Sequence, residues 1–397
     1  MYLKAEDFER RIESTRERMR KAGLDALFIY SDEYRPGHAL YYTNFRTINM
    51  VEESSHAVYL PLEGSPVAFT GPLNAFAARR DSFVKDVRPI PKLEEEIREL
   101  VKASPRPMNR VGLVGENVMP LTIYRRLATG LGSIEMVGAT DLVIAERRIK
   151  SEREIELLAR AGEIGDISLR TAAARAGPGR TELELIAIGE YATRAEGGDL
   201  GCAYLAVTGL NTDLPTWRAT NRPVEHDELL WLDFAPTYAG YGTDVAITLA
   251  MDGANEEQRR AVEFAWYASA RMMEFVQPGK PGAEVFYKTL ELVKEAGYEE
   301  YFVPYTKGTR AIGHGVGLDI VEPPDLGPNA EYIMEPGMVL ALKFDLHGFS
   351  WGGVRVEHTV AVTEDGARAL NCPLSDACPA KNDCSFYKPG GRAIDIP

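Results

Sequence analysis

The sequence predicts an α+β protein of two domains, and three observations lead to this prediction. Helical and strand patterns alternate from the start of the chain to about residue 140. A charged segment near 145–152 then begins a long helix, and the second half contains strands whose polar residues lie on one face. The 397 residues are enough for two ordinary domains. We place the domains at 1–146 and 147–370, followed by a cysteine-containing tail at 371–397.

The first domain is predicted to be an α/β domain. Residues 5–22 form an amphipathic pattern with Phe8, Ile12 and Met19 on the apolar side, and Gly23 ends it. The apolar runs LDALFIY and VGLVGENVM are typical of buried strands, and HAVYLPLEGSPVAFTG is typical of a hairpin around a Glu-Gly-Ser turn.

The second domain is predicted to begin with a long helix, in which Ile155, Leu158 and Ile164 recur at helical spacing. The glycines and proline of GPGRTE end this helix, and the Thr-Glu pair opens the next. Further helices are predicted at 181–197, 255–276 and 282–297, separated by strands.

Composition excludes several classes of partner. The net charge is −14, from 59 acidic and 45 basic residues, and this field repels nucleic-acid phosphates and anionic lipids. No apolar run approaches the roughly 18 residues that a membrane helix needs. The charged N-terminal residues do not resemble a secretory signal. We therefore expect a cytoplasmic protein that acts on a small molecule, without nucleic-acid or membrane partners.

The cysteines allow two interpretations. Cys202 is isolated, whereas Cys372, Cys378 and Cys384 follow one another at six-residue spacing. Without an export signal, disulfides are not the default. The three clustered residues present thiolates to a metal or are incidental, and their spacing matches neither a zinc ribbon nor a common iron–sulfur pattern.

Strands in the second half place polar side chains on one face. In LLWLDFA, GTDVAITLAM, MVLALKFDLHG and GGVRVEHTVAV, apolar residues alternate with polar ones at a period of two. Several carboxylates that converge in a partly buried site require a cation or shared protons. The alternative is a solvated face, as in many antiparallel sheets. The polar residues are Asp233, Asp244, Lys343, Asp345, His347, Arg355 and Glu357.

A histidine between two glycines adds to this pattern. His314 stands in AIGHGVGLDIVEPPDLG, where Gly315 and Gly317 permit close approach of backbone or substrate. Such a histidine can be a metal ligand or a proton shuttle. Taken alone, a Gly-His-Gly sequence is weak, because loop histidines are mostly incidental.

The order of these motifs resembles a known superfamily. Asp233, Asp244 and His314 in GHGVGLDIVEPP are followed by EPGMVLALKFDL and GGVRVEHTVAVTEDG, and RRIKSEREIELLARAGEI stands at the domain entrance. This set resembles the pita-bread fold shared by methionine aminopeptidases, Xaa-Pro peptidases and creatinase. The resemblance implies a C-terminal pita-bread domain and an N-terminal creatinase-like α/β domain.

The resemblance also implies a metal site with one altered ligand. Metal-dependent members bind two divalent ions through two Asp, one His and two Glu, which correspond to Asp233, Asp244, His314, Lys343 and Glu357. Because a lysine replaces the first glutamate, a dinuclear centre is not expected. The prediction is no metal, or one divalent ion (Mn, Fe, Co or Zn), bound within the set Asp233, Asp244, His314 and Glu357.

Thr216 stands where the resemblance implies a histidine of both creatinase and the Xaa-Pro peptidases, and Val321 stands where it implies a second histidine of the Xaa-Pro peptidases. We therefore expect substitute groups, among them Glu322. The candidate catalytic residues are His314, Lys343, Glu357, Glu322 and Thr216. The candidate substrate-binding residues are Arg46, Arg355, Asp345 and His347.

The departures from the family shape the predicted function. The first interpretation is a creatinase-like hydrolase of a C–N bond in a small cationic or zwitterionic molecule, with weak or no peptidase activity. The alternatives are a metal-dependent Xaa-Pro aminopeptidase or dipeptidase, a lyase of the same fold, and a pseudoenzyme that binds a small ligand. The resemblance further implies a homodimer, in which TNFRTINMVEESSH (Arg46, Glu52, Glu53 and His56) approaches the neighbouring subunit's pocket. As structure alone, this segment is a polar loop.

Overall fold

A computed structural model of the chain describes residues 3–48, 54–302 and 311–372. The chain divides into two compact units between Arg147 and Arg148. Each unit contains helices and a sheet, so the predicted α+β class is confirmed. The predictions for Glu52, Glu53, Cys378 and Cys384 lie outside the described residues. Within the described ranges, no helix has the length and apolar character needed to cross a membrane.

The N-terminal unit is built on a mixed sheet with the strand order β4-β3-β2-β1-β5-β6. The predicted hairpin is confirmed, since β2 and β3 pair antiparallel, whereas β1, β5 and β6 run parallel. The strands are β1 (Ala26–Ser31), β2 (His56–Pro61), β3 (Val67–Thr70), β4 (Asp86–Pro89), β5 (Arg110–Val114) and β6 (Glu135–Gly138).

The helices of this unit enclose an apolar core around Phe28, Ile97 and Leu127, all fully buried. The first helix has the predicted bounds and ends at Gly23, whose positive φ of 65° suits glycine. The helices are α1 (Ala5–Ala22), α2 (Gly37–Thr43), α3 (Pro72–Asp81), α4 (Leu93–Lys102), α5 (Leu121–Leu131) and α6 (Thr140–Arg148).

The C-terminal unit contains, within its described residues, an eight-stranded antiparallel sheet with the order β14-β13-β15-β16-β12-β9-β8, and β17 pairs with β16. A small second sheet comprises β7, β10 and β11. The strands are β7 (Asp199–Leu200), β8 (Leu205–Thr208), β9 (Leu229–Phe234), β10 (Pro236–Tyr238), β11 (Tyr241–Gly242), β12 (Val245–Ala250), β13 (Gly313–Gly315), β14 (Glu322–Asp325), β15 (Val339–Phe349), β16 (Gly352–Thr363) and β17 (Gly366–Ala369).

Helix ends in this unit follow the predicted signals. Ser151 and Glu154 form a capping box at the start of the long helix, and Thr181 and Glu184 form another at the start of the next. The predicted helices are confirmed with bounds shifted by one or two residues. They are α7 (Glu152–Ala173), α8 (Glu182–Ala195), α9 (Glu256–Phe275) and α10 (Ala283–Glu295).

One face of the large sheet carries the core. Leu230, Leu232 and Phe234 point toward apolar residues of α7 to α10, as their period of two predicts. The opposite side of the same strands is left for polar groups. The long β15–β16 hairpin that carries several of them turns at Gly352, whose φ of +127° and close approach to Thr212 exclude a side chain.

Candidate functional site

The polar residues meet because their strands are neighbours in the large sheet. On the β15–β16 hairpin, Lys343 lies opposite Glu357 and Asp345 lies opposite Arg355. β13 lies beside β15, which brings in His314, and β12 and β9 lie beyond β16. The face is not solvated, since Asp345, Arg355 and Glu357 are each at most 5% exposed. The alternative of a simple solvent-facing sheet is therefore wrong.

Three of the predicted ligands form a compact cluster. One ligand atom from each of Asp244, His314 and Glu357 lies within 4.8 Å of the others. His314 Nε2 is 3.5 Å from Asp244 Oδ2 and 3.7 Å from Glu357 Oε1. His314 Nδ1 is 3.0 Å from the carbonyl oxygen of Gly315. Because a carbonyl only accepts, Nδ1 donates a proton to it, and Nε2 is the ring nitrogen that faces the carboxylates.

The donor set fits one divalent ion. Glu357 Oε1 is buried and has no hydrogen-bond partner among the described residues. A buried carboxylate oxygen without a partner is costly unless a cation or proton completes it. Burial, with the charges of Asp244 and Asp233, raises the pKa of Glu357 well above its usual value. Two carboxylates and an imidazole form a common donor set for divalent transition metals, including zinc.

Asp233 has a different partner. Arg355 Nη1 donates to Asp233 Oδ2 at 2.7 Å, and Arg355 Nε donates to Asp345 Oδ1 at 2.8 Å. The same guanidinium donates to the Pro215 carbonyl oxygen at 2.7 Å and lies 4.6 Å from the Trp231 ring centroid. Burial and then the charge of Asp244 raise the pKa of Asp233 to about 7, although Arg355 opposes this shift.

Lys343 lies among these acids as a second cation. Its side chain is 29% exposed, and its Nζ is 4.0 Å from Asp345 Oδ2, too far for a hydrogen bond. Burial acts to raise the pKa of Asp345, but the charges of Arg355 and Lys343 lower it below its usual value. The resemblance expects a glutamate ligand at this position, and the chain places a cation there.

The other candidate catalytic residues, Thr216 and Glu322, are not members of the Asp244–His314–Glu357 cluster. Thr216 is exposed and follows Pro215, whose carbonyl accepts from Arg355. Glu322 is buried, and its Oε1 is 2.7 Å from Lys150 Nζ. The Lys150 side chain is only 2% exposed. This pairing favours a structural role for Glu322 over a catalytic one.

Of the predicted substrate-binding residues, His347 is buried and Arg46 belongs to the N-terminal unit. His347 is fully buried, with Nδ1 3.9 Å from Asp213 Oδ1, and burial lowers its pKa. Its burial favours support of Asp345 over direct substrate contact. Arg46 belongs to the N-terminal unit and donates to the Glu33 carbonyl oxygen at 3.2 Å. Substrate binding by Arg46 stays a prediction.

The sequence patterns missed two supporting residues. Thr359 Oγ1 donates to the Asp244 carbonyl oxygen at 3.0 Å and accepts from the Asp244 amide at 3.2 Å, which fixes the backbone of that ligand. Thr359 stands two residues after Glu357, so its position on the polar face was predictable from the period of two. Trp231, whose ring packs against the Arg355 guanidinium, stands two residues before Asp233 on β9. Its position on the same face was predictable from the same period of two.

Comparisons with known proteins agree on one family. Residues 156–364 match the model of metallopeptidase family M24, and residues 11–149 match the creatinase/prolidase N-terminal domain. The chain is 32% identical over 231 residues to a Xaa-Pro dipeptidase from Pyrococcus furiosus. That alignment covers 58% of this chain and 65% of the relative, just under two thirds of its length.

Solved structures show the same two-domain fold. The prolidase from Pyrococcus horikoshii OT3 has a TM-score of 0.80 at 24% identity, covering 91% of this chain and 98% of that one. The prolidase from Pyrococcus furiosus has a TM-score of 0.76 at 25% identity, covering 90% and 99%.

The comparisons correct the order of the predicted functions. The similar proteins are Xaa-Pro dipeptidases, so the alternative prediction is better supported than the creatinase-like one. The expectation of weak peptidase activity finds no support in them. The predicted superfamily and fold are confirmed. Because the M24 model matches more than half of the residues, this chain belongs to metallopeptidase family M24, a hydrolase family, and combines a creatinase-type N-terminal domain with a pita-bread C-terminal domain.

Proposed function

We propose that this protein is a metal-dependent hydrolase that cleaves the amide bond of small Xaa-Pro dipeptides and uses one divalent ion. The observation that carries the proposal is the cluster of Asp244, His314 and Glu357, whose ligand atoms lie within 4.8 Å of one another. The dipeptidase names of the similar proteins support the substrate class.

The arrangement of donors supports hydrolysis. A divalent ion held by these three side chains would supply Lewis acidity and lower the pKa of a water molecule. The chain itself holds the donors in place. The Gly315 carbonyl fixes the tautomer of His314, and Thr359 fixes the backbone of Asp244. Such supporting contacts orient ligands and raise their affinity.

Glu357 is the group best placed to move a proton. A carboxylate has two oxygens, so one can hold the ion while the other accepts a proton. Glu357 Oε1 is buried without a hydrogen-bond partner among the described residues. In hydrolysis, a water molecule adds to the amide carbonyl carbon and gives its proton to Glu357. Glu357 then delivers this proton to the leaving nitrogen as the C–N bond breaks, which yields a carboxylic acid and an amine.

A creatinase-like activity is the second candidate, because one feature favours it. Val321 is 64% exposed at the position where the resemblance expects a histidine of the Xaa-Pro peptidases. An apolar side chain cannot shuttle protons at neutral pH as imidazole does. A substrate whose hydrolysis does not use that histidine suits such a site.

One assay separates the two candidates. The full chain is stripped of metal by dialysis against EDTA, and Mn, Fe(II), Co or Zn is restored at one equivalent. Hydrolysis of Ala-Pro and Leu-Pro is compared with hydrolysis of creatine and of Ala-Ala. We expect metal-dependent release of proline from Ala-Pro and Leu-Pro, and little hydrolysis of Ala-Ala. Turnover of creatine without turnover of any Xaa-Pro dipeptide would refute the proposal in favour of the second candidate.

A further inference from the structure

We infer that Lys343 takes the place of a second metal ion, and that its ammonium is an additional catalytic group which binds the substrate carbonyl oxygen as that oxygen becomes negative. This inference rests on the proposed amide hydrolysis for its catalytic part. The claim that Lys343 replaces a metal ion concerns the number of ions that the site binds, and this number can be measured without any substrate.

The fixed charges of the site balance one divalent ion. Four carboxylates are brought together with two cations, so two negative charges remain uncompensated when all four carboxylates are ionised and His314 is neutral. One divalent ion supplies that charge. With a glutamate at 343, five carboxylates would face one cation, and two divalent ions would be required. The carboxylates are Asp233, Asp244, Asp345 and Glu357, and the cations are Lys343 and Arg355.

The two cations have different tasks. Arg355 is 3% exposed, and its guanidinium already donates to Asp233, Asp345 and the Pro215 carbonyl. It is a fixed part of the sheet and has little capacity left for a substrate. Lys343 is 29% exposed at the side chain, and its nearest recorded carboxylate oxygen is 4.0 Å away. Lys343 is therefore the cation whose N–H groups a substrate oxygen can reach.

The register places this ammonium at the reacting centre. Lys343 lies opposite Glu357 across β15 and β16, and β13 presents His314 on the other side of β15. A carbonyl group attacked by water beside Glu357 thus has its oxygen within range of Lys343. As the C–O double bond becomes single, the oxygen gains negative charge and accepts a hydrogen bond from the ammonium, which keeps all of its protons. When the C–N bond breaks, the carbonyl re-forms and Lys343 is unchanged.

The size of the effect follows from known preorganised donors. Removal of one donor to a developing oxyanion typically lowers kcat by about 10²–10³-fold. A lysine that bound only the substrate carboxylate would instead contribute equally to the ground and transition states. Its loss would raise KM and leave kcat unchanged.

The ion count is tested by calorimetric titration of the metal-free full chain with Mn²⁺, checked by elemental analysis after gel filtration. We expect one equivalent in the wild type, one in Lys343→Met and two in Lys343→Glu. Lys280→Met is the matched control, because Lys280 is an exposed lysine of the same unit that pairs with none of the four carboxylates of the site. Two equivalents in the wild type, or one in Lys343→Glu with intact secondary structure, would overturn the charge assignment.

The catalytic part is tested by steady-state kinetics with one Mn²⁺ equivalent bound. We expect Lys343→Met to lower kcat by 10²–10³-fold with a modest change in KM, and Lys343→Arg to recover at least tenfold of that loss. A change in KM alone would overturn the oxyanion role. If the wild type hydrolyses no Xaa-Pro dipeptide, the proposed function and this catalytic role fail together, whereas the Mn²⁺ count still decides whether Lys343 replaces an ion.

Discussion

Lys343 and Glu357 lie directly opposite each other on β15 and β16, so an ammonium stands beside a carboxylate whose Oε1 is buried without a hydrogen-bond partner in the described part of the chain. Directly opposed residues of an antiparallel pair have Cβ atoms about 4.5–5.5 Å apart. The pair therefore fixes a positive charge at the edge of the Asp244–His314–Glu357 cluster. A single substitution in one strand can change the charge of the whole site without any change of fold.

The first prediction concerns the proposed ion. His314→Ala removes the only nitrogen of the three-donor cluster, and we expect Mn²⁺ affinity to fall by more than about 100-fold, because even outer-shell changes cost 10–100-fold. The circular dichroism spectrum should stay that of the wild type, since the His314 side chain is not part of the apolar core.

His226→Ala is the matched control for this prediction. His226 is an exposed histidine of the same unit and is absent from the acidic cluster. The control should bind Mn²⁺ like the wild type. Equal affinities of wild type and His314→Ala would contradict the three-ligand site.

The second prediction concerns the buried ion pair of Lys150 and Glu322. Both side chains are at most 5% exposed, and the partners are separated by 172 residues. Lys150→Met leaves a buried carboxylate without its cation, so we expect a loss of about 3–5 kcal/mol in the free energy of unfolding. The double variant Lys150→Met/Glu322→Leu should recover most of that loss, because no buried charge remains.

Urea unfolding followed by tryptophan fluorescence measures these losses selectively. All four tryptophans of the chain lie in the C-terminal unit, at positions 217, 231, 266 and 351. Arg260→Met is the control, because Arg260 and Glu256 form an exposed helical pair worth about 0.3–0.5 kcal/mol. A double variant as unstable as Lys150→Met would show that the pair itself, rather than the unpaired charge, sets the stability.

Much of the site was predictable from the period of two, since one phase along each strand decides which side chains share a face. Asp233 and Glu357 were placed correctly on the polar side for this reason. The period of two does not predict with which cation a carboxylate forms an ion pair. Asp233 pairs with Arg355, and this choice depends on β16, which lies two strands away in the sheet and more than a hundred residues away in sequence.

The period also fails where a strand is irregular. The β15–β16 register shifts between Leu346 and Phe349, and His347 lies within this irregularity, fully buried. A bulge inserts a residue and changes which side chains face a given side. The ion pair of Glu322 was not predictable for a different reason, because its partner Lys150 belongs to the segment that enters the domain, and only the folded chain brings them together.

The third prediction concerns the contact behind β9. A Cβ atom on Gly189 of α8 would lie 2.3 Å from the ring of Phe234, the neighbour of Asp233 in sequence. Gly189→Ala gains about 1 kcal/mol of helix propensity but forces the ring to move, and we expect a net loss of about 1–3 kcal/mol. Tryptophan fluorescence in urea again measures the unfolding of this unit.

Gly177→Ala is the control for Gly189→Ala. Gly177 lies between α7 and α8, and a Cβ atom there would meet no atom within 4 Å. We expect its unfolding free energy to stay within about 0.5 kcal/mol of the wild type, as is usual for a surface change. Equal stabilities of the two variants would indicate that Phe234 can move without cost.

The fourth prediction concerns Asp166, a carboxylate of α7 that lies outside the acidic cluster. Asp166 is fully buried, and its Oδ2 accepts from the Cys372 amide at 2.7 Å. Burial raises its pKa from 3.8 to about 7, although the Cys372 amide and the charge of Arg170 act in the opposite direction.

A raised pKa in the folded state means that the folded chain holds the Asp166 proton more tightly than the unfolded chain. The stabilising contribution of this proton is complete below about pH 4 and is lost as the pH rises through about 7. Asp166→Asn cannot titrate. Its amide oxygen can still accept from the Cys372 amide. Asn371 Nδ2 lies 3.4 Å from Asp166 Oδ1, and any loss of this contact costs the same at every pH. The variant should therefore gain stability relative to the wild type as the pH rises from 5 to 8, by on the order of 2 kcal/mol.

The measurement is urea unfolding of metal-free protein at half-unit steps between pH 5 and pH 8, with EDTA present and tryptophan fluorescence as the signal. Other buried acids titrate equally in both proteins, so the difference between Asp166→Asn and the wild type isolates Asp166. Asp252→Asn is the control, because Asp252 is exposed. Its difference from the wild type should not depend on pH. If the Asp166→Asn difference is also flat across this range, the Asp166 carboxylate is ionised in the folded chain throughout, and the hydrogen bond to Cys372 outweighs burial.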